Sequence, residues 1–128
     1  MQKTDIKRIL PLVLMLFVTS SAWADWILMY ESDVAKNYID PTTVRGDGDL
    51  LRVWQLLDFK LDVLGVRSVR EKKEYDCKGE RVRRLWQSEH SEPMAGGQML
   101  TKGGTDDDWI EIAPRTVAEK MLKIVCAK

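Results

Sequence analysis

From Trp26 to Lys102 apolar side chains fall mainly at alternate positions, the period of strands with an inward face; from Val117 to Val125 they fall three and four apart, the period of a helix. Trp26 to Tyr30 predicts a first strand, and Tyr38-Ile39-Asp40 a second that stops at Pro41, which has no ladder N–H to give. Gly46-Asp47-Gly48-Asp49 predicts a tight hairpin, because glycine and aspartate tolerate positive φ. Leu50 to Lys60 carries Leu51, Val53, Leu57 and Phe59 on one parity, and Trp54 and Leu56 among Arg52 and Asp58 on the other. Large apolar groups on both parities predict a central strand covered on both faces. Val66 to Tyr75 is more polar, with Val69 and Tyr75 set against Arg70, Lys72 and Glu74, which predicts one solvated face.

After a turn at Lys78-Gly79-Glu80, Arg81 to Glu92 alternates as Val82, Arg84, Trp86, Ser88 and His90 against Arg83, Leu85, Gln87 and Glu89, until Pro93 ends it. Gly96-Gly97 marks a bend or bulge, Gln98 to Lys102 a last short strand, and Gly103 to Asp108 a loop. Val117, Met121, Ile124 and Val125 then define one helical face, introduced by Thr116 and Glu119 in a T-x-x-E capping box. A helix over Val117 to Val125 is shorter than isolated helices sustain in water, so it must be held by packing and by Cys126. The class is α+β: an antiparallel β-sheet of about six strands with a C-terminal α-helix packed on one face.

The first residues do not belong to that domain. Lys3, Lys7 and Arg8 precede an uncharged apolar run from Ile9 to Val18, and Ala22-Trp23-Ala24 supplies the small residues of a signal-peptidase site. The expectation is a cleaved signal peptide over 1–24 and one mature domain over 25–128. The apolar run is well short of the ~20 residues that span a bilayer, so no membrane insertion is expected after cleavage. Cys77 is the first cysteine, far from the cleavage site, so no lipoprotein anchor is expected. Removing three basic and one acidic residue from 20 of each leaves 17 and 19, which gives no net field to attract nucleic acid.

Export also bears on the two cysteines, since thiols reaching an oxidising compartment pair if the fold brings them together. Cys77 and Cys126 admit one intrachain pairing, closing a loop of about 50 residues. A two-thiol metal site or a catalytic thiol would need partners that a chain with His90 as its one histidine hardly supplies. His90 sits in an alternating strand with no Gly-x-Ser-x-Gly elbow in the chain, which favours a structural histidine over a catalytic one. Asp106-Asp107-Asp108 lacks the alternation and glycine of an EF-hand loop and reads as solvated, so neither a metal nor a cofactor is expected. No enzyme is expected.

Positive charge gathers at Arg67, Arg70, Lys72 and Lys73 in one strand and at Lys78, Arg81, Arg83 and Arg84 around the following turn. Paired strands would align these into a basic stripe suited to an anionic polymer or an acidic patch on a partner protein. Interspersed Glu71, Glu74, Glu80 and Glu89 offer the plainer alternative of cross-strand ion pairs on a solvated face. Arg67, Arg70, Arg81, Arg83 and Arg84 are the candidate contact residues.

A longer pattern runs through the domain: Trp26; Tyr38-Ile39-Asp40-Pro41-Thr42-Thr43-Val44; Arg52-Val53-Trp54 with Asp58 and Lys60; Tyr75-Asp76-Cys77; Trp109 ahead of Pro114; and Lys123-Ile124-Val125-Cys126. In order and spacing it resembles the surface-adhesin protein E family of bacterial envelope proteins. The resemblance implies an antiparallel sheet flanked by a C-terminal helix, with Cys77 and Cys126 joined. It further implies binding of host matrix and serum proteins such as vitronectin, laminin and plasminogen, self-association into dimers, and no catalytic residues. The family's named adhesin is a lipoprotein displayed at the cell surface, a property this chain lacks the cysteine for, so both periplasm and cell surface stay open. The alternative expectation is a periplasmic accessory module that associates through an uncovered strand edge.

Overall fold

The structure is a computed structural model that describes residues 24–105 and 107–127. The expected signal peptide, apart from Ala24, lies outside the described residues, as does Asp106. Strands β1 (Ile27–Glu31), β2 (Ala35–Asp47), β3 (Leu50–Val63), β4 (Val66–Asp76), β5 (Arg81–Glu92) and β6 (Gly96–Gly104) form an antiparallel meander in chain order. A two-residue β7 (Ile110–Glu111) returns to pair with the start of β5, and α1 (Val117–Cys126) follows. The expected α+β architecture is therefore present, with β7 as a seventh strand too short to register as a period.

Local chemistry explains the turns. Gly46 has φ +142°, and a Cβ there would lie 2.1 Å from the Leu50 carbonyl oxygen, so this position before the β2–β3 turn accepts only glycine. Pro41 does not end β2 as its missing donor predicts. The ladder instead skips from Asp40↔Trp54 to Arg45↔Arg52, leaving Pro41 in a bulge. Thr43 repairs the gap: its Oγ1 accepts from Trp54 N at 3.0 Å and donates to Asp40 O at 2.7 Å.

The core lies between one face of the sheet and the helix. Ile39, Leu51, Val53, Tyr75 and Val82 meet Met121, Leu122 and Val125, all buried. Val117 to Cys126 is helical because Thr116 Oγ1 accepts from Glu119 N at 3.2 Å, while Glu119 Oε1 reaches Arg115 N rather than the Thr116 N–H of a reciprocal box. Cys77, just beyond β4, is joined to Cys126 at the end of α1, which ties the helix to the sheet. Tyr75 donates to Gln55 Oε1 inside this core, and burial pushes its phenol well above the ordinary range.

Two departures concern exposure and strand extent. β4, an inner strand between β3 and β5, has no exposed residue, although its alternation predicts a solvated face. β6 extends through Gly104 into the segment expected to be loop, since Gly103 and Gly104 pair with Gln87 and Trp86.

Candidate binding face

The second face of the sheet, turned away from α1, is ordered in rows by the strand register. One row runs Asp40, Trp54, Lys72, Trp86 and Gly104 across β2 to β6. On one side of it lies Tyr38, Leu56, Arg70 and Ser88; on the other, Arg45, Arg52, Glu74 and Arg83. The far end of the face is closed by a 3-10 turn at Pro93–Ala95, where Met94 N donates to Asp58 Oδ1 at 3.0 Å and Ala95 N to Ser68 Oγ at 2.9 Å. Beneath that turn Ser68, Ser88, His90 and Leu56 are buried.

The middle of the face stays open. Trp54 and Trp86, two strands apart, lean over β4 until their ring centroids are 5.3 Å apart in an edge-to-face pair. The Arg70 guanidinium lies 4.2 Å from the Trp54 ring centroid and Lys72 Nζ 5.9 Å from it, both within cation–π range. Trp54, Lys72, Leu85 and Trp86 line a notch of about 400 Å³. It continues into a groove of about 540 Å³ lined by Thr43, Arg45, Arg52, Val53, Trp54, Lys72 and Leu85. No carboxylate lines either among the described residues.

A bulge builds this notch. The β4–β5 ladder passes from Lys73↔Arg84 to Lys72↔Trp86, so Leu85 is the extra residue. The consecutive Leu85 and Trp86 thereby line the same notch, where strict alternation would send them to opposite faces. The alternation read across Arg81 to Glu92 is corrected accordingly: Val82 and Arg84 share a face with Gln87 and Glu89, not with Trp86, Ser88 and His90.

The five candidate arginines do not form one stripe. Register places Arg70, Arg81 and Arg83 on the open face and Arg67 and Arg84 on the helix side. Three are paired with acids: Arg81 with Asp76 at 2.8 Å, Arg83 with Glu74 at 2.6 Å, and Arg84 with Asp107 at 3.0 Å and Glu71 at 3.7 Å. Arg81 and Arg83 also flank the Trp109 ring at 4.6 and 4.5 Å. Asp76, accepting first from the Gly79 backbone N–H and then from Arg81, is held below the ordinary carboxylate range. Arg67 and Arg70 differ from these, since each has a buried Nε without a hydrogen-bond partner among the described residues. Sequence reasoning placed Lys72 in the basic stripe but missed Arg45, Arg52, Trp54, Leu85 and Trp86 around it. The available signal was Leu85-Trp86 itself, two large apolar neighbours interrupting an alternating strand.

His90 offers no open chemistry. Its Nε2 lies 2.7 Å from Ser88 Oγ, but Ser88 is wholly buried and His90 nearly so. Burial first, and then the Arg70 charge, push the imidazole pKa down. The neighbouring charge is thus the opposite of the carboxylate that orients a catalytic histidine. Among the described residues no cluster of His, Cys, Asp and Glu could hold a metal ion.

Comparison with known proteins agrees with this architecture. The family described as surface-adhesin protein E matches over residues 26–127. Among solved structures, crystal form II of Haemophilus influenzae protein E superposes with a TM-score of 0.64 at 15% identity, covering 82% of this chain and 89% of that one. Protein E from non-typeable Haemophilus influenzae gives a TM-score of 0.61 at 16% identity, covering 84% of this chain and 79% of that one. At such identities the likeness establishes the fold. Comparison with curated proteins yields no match.

Proposed function

This chain belongs to the surface-adhesin protein E family, and from that membership we propose a non-catalytic, exported envelope protein that binds other proteins through its exposed sheet and loop surfaces. Host matrix and serum proteins are the proposed targets. The observation that carries the reading is the open face: two tryptophans and the cations Arg45, Arg52, Arg70 and Lys72 line or flank a groove without a carboxylate of its own. Aromatic and arginine side chains are the groups that contribute most at protein interfaces. Of the sequence candidates, Arg70 stands inside this surface. Arg81 and Arg83 border it beside Trp109, and Arg67 and Arg84 serve the helix side.

The test has two steps. Protease and antibody access to the mature chain on intact cells, compared with cells whose outer membrane is permeabilised, locates the protein. Purified mature protein is then tested against immobilised matrix and serum proteins over a salt series. Access on intact cells with salt-sensitive binding supports the adhesin reading. Access only after permeabilisation, without binding, refutes it.

A second reading has its own observation. β1 is an edge strand whose Ile27, Leu28 and Tyr30 are 49%, 45% and 41% exposed. Exposed apolar edges pair with other strands, which favours a self-associating periplasmic accessory module. Its signature is an oligomer in sedimentation that salt does not dissociate and that Leu28→Lys abolishes.

A further inference from the structure

We infer that the Leu85–Trp86 notch is a recognition site for an acidic peptide segment carrying one large apolar side chain. The inference rests on the protein-binding reading above and gives it a place and a chemistry.

The first argument is the construction of the notch. A bulge in an inner strand breaks the ladder and is retained where it re-aims a side chain. Here it sets Leu85 beside Trp86, opposite Trp54, and makes an apolar recess of about 400 Å³ in a face otherwise crossed by long charged side chains. A recess walled by two indoles and a leucine matches an aromatic or branched aliphatic side chain, whose burial there removes apolar surface from water on both partners.

The second argument is charge. Arg45, Arg52 and Lys72 rim the groove that leads out of the notch, and none makes an ion pair with a described carboxylate. Arg45 directs its Nη1 to the Thr42 and Val44 carbonyls, an arrangement that leaves its charge without an anion. Past Leu85 the surface is no longer purely cationic, because the next hollow is lined by Asp108 and by Asp107, itself paired with Arg84, beside Arg83, Thr105 and Trp109. The ligand is therefore polarised, with carboxylates lying toward Arg45, Arg52 and Lys72 and away from Asp108. A sulfated polysaccharide fits less well, since it has no apolar appendage for the notch and its repeating charge would run onto Asp108.

The experiment is calorimetry on the purified mature protein with synthetic decapeptides of aspartate and glutamate around a central phenylalanine. Comparison ligands are the same peptide with serine in place of phenylalanine, its lysine counterpart, and a heparin-derived oligosaccharide. We expect at least about a tenfold loss on replacing the phenylalanine and no binding of the lysine peptide. Arg52→Gln with Lys72→Gln should weaken binding at least about tenfold at low salt and flatten its salt dependence. Trp86→Ala should abolish the preference for phenylalanine over serine; if that variant melts early, Leu85→Ser serves the same comparison. Indifference to the phenylalanine, equal binding by the double variant, or tighter binding of the oligosaccharide would each overturn the inference. Failure here is separable from failure of the adhesin reading. A matrix protein bound equally by wild type and Trp86→Ala removes the notch alone, whereas peptide binding without any matrix partner removes the adhesin role alone.

Discussion

Breaking the Cys77–Cys126 bridge should destabilise the domain by an amount set mainly by its unfolded chain. The two cysteines are 49 residues apart in sequence, and the loop-closure entropy released on opening such a loop corresponds to about 4 kcal/mol at 25 °C. With an unfolding entropy of about 2.1 cal/mol/K per residue over roughly 100 residues, the thermal midpoint should fall by about 15–20 °C. The bridge also anchors a helix of ten residues that could not persist alone. Cys77→Ser, Cys126→Ser and the double variant should therefore show the same loss, because each removes the same cross-link. Thermal and urea melts followed by circular dichroism and tryptophan fluorescence provide the assay. The urea slope should rise as the unfolded chain expands. Single variants whose losses add, or a midpoint within about 3 °C of wild type against the 15–20 °C expected from loop entropy, would refute this account.

Three further outcomes follow from individual contacts. Met121→Ala removes a side chain that is 2% exposed between helix and sheet, and denaturant melts should show a cost of about 2–5 kcal/mol. Thr116→Ala deletes the hydroxyl that accepts from Glu119 N and should cost about 1 kcal/mol by the same measurement, with Thr116→Ser retaining most of it. His90 has a folded pKa below its unfolded one, so the unfolded chain takes up the proton first. Its contribution to stability is present above about pH 6.5 and is lost as pH falls from there to the depressed value. A pH series of urea melts should show a decline over that window that His90→Gln reduces; an identical decline in the variant would assign it to other groups.

Much of the architecture could be read locally. The alternation in Leu50 to Lys60, the glycine and aspartate pair before Leu50 and the Thr116 cap act over a few neighbours, so strand, hairpin and helix onset appear in the linear order. The disulfide was also within reach, because two cysteines in a chain expected to be exported leave one intrachain pairing. The resemblance to an adhesin family could likewise be assembled from spaced tryptophan, tyrosine and cysteine residues, most of which serve the core and its turns.

The candidate binding face was not within reach in the same way, and the reason is register. Whether a charged side chain is free depends on its opposite number in the next strand, and a one-residue shift exchanges the faces. Arg81 and Arg83 looked available as contacts, yet Asp76 and Glu74 lie where they neutralise them. Trp54 and Trp86 stood on separate strands of the sequence, and only the bulge at Leu85 brings them together edge to face across β4. Composition, period and capping thus determined the elements and the stapled sheet-and-helix class from the sequence by itself. Only tertiary pairing decided which cations kept their charge exposed, because that is a property of two strands at once.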